Sequence, residues 1–369
     1  MPHDRPRPSW RTDALLQQLL PLLPGLSVEV VASIASTNTE LLERARRAGP
    51  GTGGRRQTDV NPCLLVAEHQ TRGRGRQGKH WQSSAGASLT FSLALPLAPV
   101  DWSGLSLAVG LALVEALDPA RPGQPLRLGL KWPNDLLIVG PSAATGIGRK
   151  LGGILIETVQ VGERRMAVVG IGLNLQPQAT PELSWGFGCL QELQPDLTAP
   201  AALADVAPAL VRALLAFERE GFAPLQQRYA ERDLLRGQHV TTTLPGVPQG
   251  LADGVDETGT LWLQLSGDTA SGGPGRLVPV SSGDVSLRVA SPRDPASAGA
   301  GAGQRSAPEL PDTAGMSPVP LPLPASPGPS AAADAPALPR PAGCGDTWRW
   351  CWCWPMPFCW RRSGGCSIR

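Results

Sequence analysis

"PLRLGLKWPNDLLIVG", residues 125–140, reads as two short apolar runs broken by a Pro-Asn-Asp turn, and its reading sets the fold class. "KLGGILIETVQV" (150–161) and "RRMAVVGIGLNL" (164–175) follow without a helical period between them. Parallel strands need crossovers of a dozen or more residues, so runs joined this tightly predict antiparallel pairing. Toward the N terminus, "CLLVAEHQ" (63–70) and "ASLTFSLAL" (87–95) add two strands, and "SGLSLAVGLALVEAL" (103–117), apolar on most faces, predicts a buried helix. "SIASTNTELLERARR" (33–47) predicts another helix, with Thr37 and Glu40 as a capping box and Leu41, Leu42 and Ala45 as its apolar stripe. Toward the C terminus, helices are expected at about 200–220 and 222–235. Residues 237–288 then alternate short strands with Gly-rich turns, the pattern of a small β-barrel.

Composition narrows the class. The 369 residues carry 33 Lys and Arg against 31 Asp and Glu, a net charge of only +2, which argues against a wholesale nucleic-acid binder. No run of 18 apolar residues predicts a spanning helix, and the apolar stretch at 15–26 is interrupted and lacks a small-residue cleavage site, so a cytoplasmic protein is expected. Residues 1–343 hold only Cys63 and Cys189, which is no disulfide framework. Beyond 290 the chain turns to Ala, Pro, Ser and Gly, a composition that cannot bury a core, so 291–369 is expected to be a disordered tail ending in a Trp/Cys-rich segment. Zinc on Cys351, Cys353 and Cys359 is disfavoured by the C-x-C spacing and the lack of a nearby His. A GC-rich repeat read in a shifted frame would encode the same Trp/Cys alternation, and mass spectrometry of the native C terminus tests that origin.

The cations concentrate in "TRGRGRQGKHW" (71–81). Gly73 to Gly78 spells G-x-G-x-x-G, and Gly73 to Lys79 nearly spells the Walker pattern with His80 in place of Ser or Thr. Both need a helix directly after the glycines, and a strand-like run follows instead. An Arg/Gly RNA-binding tract would repeat, and this one occurs once. The remaining reading is a flexible cationic loop that closes over a phosphate-bearing ligand, its arginines offering planar forks and its closure excluding water.

Together with "STN" (36–38), "KWPND" (131–135) and "KLGGILIE" (150–157), this loop resembles bacterial biotin protein ligases in motif order and spacing; "GIGLNL" (170–175) and "GDVSLR" (283–288) fit as well. The resemblance covers about residues 26–290. It implies an α/β (α+β) fold: a catalytic domain (26–235) akin to class II aminoacyl-tRNA synthetases, with a mixed or antiparallel sheet, then an SH3-like β-barrel (236–290). It implies a two-step reaction, in which ATP and biotin give biotinyl-5′-adenylate with magnesium and the adenylate then acylates a lysine of the biotin carboxyl carrier protein of acetyl-CoA carboxylase.

Carried residue by residue, the resemblance makes Arg74, Arg76 and Lys150 catalytic. Ser36, Thr37, Asn38, Gln70, Gly73, Gly75 and Gly153 join those three cations around biotin. Arg76, Lys79, Trp81, Lys131, Asn134, Asp135, Asn174 and Phe187 fall on the adenylate side, with magnesium near Asp135 and Trp185 as an alternative aromatic for adenine. Family members include monomers and homodimers. Some carry an N-terminal DNA-binding domain, but only about 25 mostly non-helical residues precede the first strand here, so neither DNA nor membrane is expected as a partner. A lipoate or octanoate ligase is the alternative, and in related transferases Cys63 or Cys189 would invite a thiol-nucleophile reading. The Arg-Gly loop and "KWPND" belong to the biotin branch, and buried structural cysteines are expected.

Overall fold

The tight connections between 125 and 175 do produce antiparallel strands, and they form one half of a seven-stranded mixed sheet. The computed structural model describes residues 9–47, 61–140, 147–178, 186–265, 275–280 and 287–289; the expected tail at 291–369 and Trp185 lie outside the described residues. In chain order the elements are α1 (Thr12–Leu19), β1 (Ser27–Val31), α2 (Thr37–Arg47), β2 (Cys63–Ala67), β3 (Gly73–Arg74), β4 (His80–Trp81), β5 (Ser88–Pro96), α3 (Leu105–Leu117), β6 (Leu128–Lys131), β7 (Asp135–Val139), β8 (Gly148–Val161) and β9 (Arg164–Asn174). There follow α4 (Ala199–Glu220), α5 (Gln226–Ala230), β10 (His239–Thr242), β11 (Gln249–Val255), β12 (Leu261–Gln264), β13 (Leu277–Val280) and β14 (Leu287–Val289). The main sheet has the order β1-β2-β5-β9-β8-β7-β6. Only β1 and β2, linked across α2, run parallel; the other pairs are antiparallel.

Strand alternation explains where the site forms. On β9, Ala167, Val169, Ile171 and Leu173 point to one face and join the main core with Leu89, Phe91, Leu93 and Leu95 of β5. That face is covered by α3 and by α4, whose Leu203, Val206, Leu210, Leu214 and Phe217 are buried. Length and hydropathy would let α4 cross a membrane, but its apolar stripe is spent inside this core. The opposite face carries Met166 and Val168, which pack with Leu65, Ala94 and the Leu41, Leu42 and Ala45 stripe of α2. Beyond Val168 the same register gives Gly170, against Asn38 in the first turn of α2, then Gly172 and Asn174, which line a cavity. On this face α2 packs on β2, β5, β8 and β9, and the cavity opens past the start of that helix.

The segment before β1 contains one short helix, α1, whose Leu15 and Leu19 join the core, followed by Leu23 and Leu26. Two expectations need correction. The helix expected at 222–235 shrinks to α5, since Arg232 and Asp233 leave the helix to run beside β6, where Leu130 N donates to Arg232 O at 2.7 Å and Leu234 N to Leu130 O at 2.9 Å. Thr37 is not an N-cap. It is the first residue of α2, and its hydroxyl lies 3.1 Å from the Gln70 side-chain oxygen and 2.6 Å from the Ser92 hydroxyl, while the Ser36 hydroxyl reaches the Thr39 amide at 3.4 Å. Glu40 pairs with Arg44 instead of closing a capping box.

The C-terminal strands form a separate five-stranded antiparallel sheet of order β13-β12-β11-β10-β14, and its Val240, Ala252, Leu261, Leu263, Val278 and Val280 join the main core. A buried pair ties the end of α3 to this side: Arg232 donates to Asp118 Oδ2 at 2.9 Å and to Leu128 O at 2.9 Å, and the amides of Arg127 and Leu128 fill the same carboxylate. With every group paired, losing one partner would leave a buried charge, a cost of about 3–5 kcal/mol.

Candidate functional site

Past the start of α2 lies a cavity of about 840 Å³. It collects Ser36, Thr37, Asn38, Gln70, Arg74, Gly75, Arg76, Lys79, Trp81, Lys131, Asn134, Asp135, Lys150, Gly153, Asn174 and Phe187, drawn from segments 150 residues apart. Gly73 is the exception. It does not line the cavity, and a Cβ there would sit 2.4 Å from Trp81 O, so this glycine serves the close pairing of β3 with β4. Between β3 and β4 a single 3-10 turn spans Arg76–Gly78, with no helix to receive a pyrophosphate in the dinucleotide manner.

One part of the cavity wall is made mainly of uncharged side chains bonded to one another. The Gln70 side-chain oxygen accepts from Thr37 N at 2.7 Å, the Ser92 hydroxyl donates to Asn38 Oδ1 at 2.6 Å, and Asn38 Nδ2 donates to Leu155 O and Glu157 Oε2, both at 3.1 Å. Ser36, Thr37, Asn38, Gln70 and Ser92 are all buried. The close approach of α2 to the sheet depends on Gly170, where a Cβ would stand 2.1 Å from Asn38 Oδ1. Two residues on, a Cβ at Gly172 would meet the Trp81 ring at 2.4 Å. The Trp81 indole N–H is buried with no hydrogen-bond partner among the described residues, an open donor in the wall. Ser92 and Glu157 escaped the sequence reading, although Thr90 and Ser92 at alternate positions of an otherwise apolar strand were a legible signal.

The other end is charged. Asp135 is the only carboxylate among the described residues lining the cavity. Lys150 Nζ donates to it at 2.7 Å, and Lys131 Nζ lies 3.6 Å from its second oxygen. Burial would raise the Asp135 carboxyl, but the two lysines outweigh it and hold it below the usual range. At Lys131 burial prevails: it pushes the amine below the ordinary lysine value despite Asp135, and Lys150 and Lys79 add to the push. The 131–135 turn, with a cis bond between Trp132 and Pro133, is braced by Asn134 Nδ2 donating to Ile154 O at 2.9 Å.

Asn174 is a brace as well. Its amide donates to Lys150 O at 3.1 Å and Gly188 O at 3.0 Å, leaving only its side-chain oxygen for a ligand. Phe187 bridges to Lys150 along the backbone. Arg74, half exposed, forks onto Glu157 at 3.0 and 3.4 Å, a pair worth little in solvent and available for exchange with an incoming anion. Both core cysteines are buried, and burial raises each thiol, Cys63 to about 11, so neither is a ready nucleophile.

Comparison with known proteins follows this geometry. The profile of the biotin/lipoate A/B protein ligase family matches residues 52–174. The chain is 34% identical over 298 residues to the biotin--[acetyl-CoA-carboxylase] ligase of Mycobacterium tuberculosis, across 76% of this chain and 97% of that one. It is 32% identical over 280 residues to the bifunctional ligase/repressor BirA of Escherichia coli, across 74% of this chain and 78% of that one. A biotin protein ligase from Aquifex aeolicus, solved in complex with biotin and ATP, superposes with a TM-score of 0.53 at 25% identity, covering 72% of this chain and 99% of the other.

Proposed function

The chain belongs to the biotin protein ligase family, and from that premise we propose that it activates biotin with ATP as biotinyl-5′-adenylate and passes the biotinyl group to a lysine of a biotin carboxyl carrier protein, that of acetyl-CoA carboxylase being the expected acceptor. The observation that carries the reading is the two-ended cavity. A ligand with a small uncharged ring, an aliphatic chain and a carboxylate matches the buried Thr37, Asn38, Gln70 and Ser92 cluster at one end and the lysines at the other, with Ile154, Leu155 and Phe91 lining the cavity as well. A lipoyl ring offers no donors or acceptors to match the remaining hydrogen-bonding capacity of this polar wall, so it fits the cluster less well than a ring that carries them.

Adenylation brings two anions together, a carboxylate oxygen attacking the α-phosphorus while pyrophosphate leaves. Lys150, Arg76 and Arg74 are assigned to neutralise that approach, and Lys131 and Lys79 to hold the departing phosphates. Lys150 can leave Asp135 for the ligand because Lys131 remains beside the carboxylate. Magnesium fits the donor set: Asp135 together with nucleotide phosphate oxygens would hold it, since the ion is often bound by one or two carboxylates plus substrate phosphates, and it would supply charge neutralisation. In the second step the acceptor lysine, as a neutral amine, attacks the acyl carbon, AMP leaves, and the amine proton goes to solvent or phosphate. The 73–81 loop shields the mixed anhydride from water until then.

The same reading assigns residues 26–235 to the catalytic domain and takes the five-stranded sheet as an SH3-like barrel in a 236–290 domain. It places the protein in the cytoplasm, with ligase activity. Incubation with ATP, magnesium, labelled biotin and an apo carrier domain tests it: biotin on the carrier lysine is expected, and lipoyl transfer in its absence would overturn it.

A further inference from the structure

Trp132 sits between Lys131 and Pro133, yet it does not line the cavity. Its side chain is wholly buried, and its indole N–H donates at 3.1 Å to the carbonyl of Gly259, 127 residues along the chain. Gly259 belongs to the 256–260 turn between β11 and β12, and that turn is internally locked. Asp256 Oδ1 accepts from the Thr258 and Thr260 amides at 2.9 and 3.0 Å and from the Thr258 hydroxyl at 2.7 Å, while Oδ2 accepts from the Trp262 indole at 2.9 Å. On its other flank backbone meets backbone: a Cβ on Gly259 would lie 2.8 Å from Gly104 Cα, just before α3, and one on Gly104 would lie 3.1 Å from Thr258 O. Gln226 of α5 also donates to Val255 O at 2.8 Å, next to the turn.

The same sheet reaches the site, where Thr241, Thr242 and Thr243 at the end of β10 line the cavity that holds Lys131, Asp135 and Lys150. One five-stranded sheet thus bonds the 131–135 turn through Trp132 and lines the same cavity that this turn lines. Apolar packing alone is non-directional and leaves two faces free to shift. A buried hydrogen bond into a rigid turn fixes their register, because displacement strands a donor and an acceptor.

We propose that the 256–260 turn is a docking element that sets the position of the 241–243 wall over the lysine cluster, with Trp132 and Asp256 as its positioning residues. The proposal rests on the ligase reading for the ligand, whose nucleotide polyphosphate lies at the cationic end. Misdocking then weakens ATP binding and leaves the distant neutral end, where biotin sits, untouched.

The full chain carrying Asp256→Ala or Trp132→Phe tests this, with biotin titrated calorimetrically in the absence of ATP and pyrophosphate release followed as ATP is varied. The expected result is a biotin Kd within about twofold of the parent and a KM for ATP raised roughly 5- to 20-fold, the loss of order that a small misplacement of a binding wall produces. Asp256→Asn, which keeps the Oδ1 acceptor, should recover most of the ATP affinity. Biotin and ATP affinities falling together with thermal stability would reduce the turn to a structural role and overturn the proposal, as would no change in either. Should Trp132→Phe not fold, Asp256→Ala alone decides. A parent chain that releases no pyrophosphate would sink the ligase reading instead; the docking would then be judged by hydrogen exchange of the 241–243 amides, which Asp256→Ala should speed by about tenfold or more, and unchanged exchange would refute it.

Discussion

The two ends of the cavity are built on opposite plans. At the neutral end every polar group of Thr37, Asn38 and Ser92 already has a protein partner, so the pocket is assembled before any ligand enters. At the cationic end two lysines share one carboxylate, and Arg74 on the short hairpin pairs with Glu157 where an incoming anion can exchange with it. The first plan suits recognition of a small uncharged ring by shape and hydrogen-bond geometry. The second suits a reaction in which negative charge gathers and then leaves. Selectivity and rate should therefore respond to different mutations, and the comparison can be broken residue by residue.

The largest effect is expected at Lys150. Lys150→Ala should leave the circular dichroism spectrum unchanged and cut adenylate formation by about 10²- to 10³-fold, the range for removing one preorganised electrostatic group. A rate within a fewfold of the parent would remove Lys150 from the chemistry. Next comes Arg76→Gly, which takes a cation from the loop and adds flexibility to it. This variant should still form adenylate but release it early, measured as free biotinyl-adenylate and as label on an added unrelated protein. A variant yielding neither product would place Arg76 in the first chemical step. The parent loop at 72–80 should also be cleaved more slowly by protease when biotin and ATP are present.

The neutral end should answer differently. Thr37→Val removes the hydroxyl shared by Gln70 and Ser92, costing each one partner while Ser92 keeps Asn38, at about 1–2 kcal/mol, so biotin affinity should fall roughly 5- to 30-fold while the rate at saturating biotin stays near normal. A collapse of the saturated rate would show that the two ends are not separable.

The smallest effect concerns support behind the cationic end. Asp233 flanks β6, and burial raises its carboxyl to about 6 despite the Leu235 and Arg236 amides, while one of its oxygens has no partner. A carboxyl raised in the folded state binds more protons than the unfolded chain between roughly pH 4 and 6, so stability is lost as pH rises through that window. Asp233→Asn should match the parent near pH 4 and be more stable at pH 8, on the order of 1 kcal/mol, seen as a Tm difference that opens between pH 4 and 6. A difference independent of pH would assign the effect to packing.

Much of this molecule was legible before any coordinates, for a physical reason: the informative stretches are local. "KWPND" is a turn by its own chemistry, "KLGGILIETVQV" and "RRMAVVGIGLNL" are strands by their composition and connections, and the alternation of arginine and glycine in the 71–81 loop excludes a helix. What stayed hidden depends on who the neighbours are. Thr37 reads as a helix cap from its spacing to Glu40, yet Gln70 and Ser92, 33 and 55 residues away, outcompete the helix for its hydroxyl. Gly73 looks like a ligand glycine and is a hairpin glycine, since only the pairing of β3 with β4 puts Trp81 O against it.

Trp132 and Gly259 look like an apolar residue and a turn residue, and nothing local couples them. By itself the sequence determined the strands and turns of the main sheet and the chemical character of each functional stretch, because backbone propensity, turn chemistry and charge are properties of neighbouring residues. Only the tertiary structure decided which hydroxyl caps α2, that a cavity lies beside Gly170 and Gly172, and that a C-terminal sheet lends three threonines to its wall. Those outcomes depend on distances between residues far apart in the chain, set by core packing as a whole.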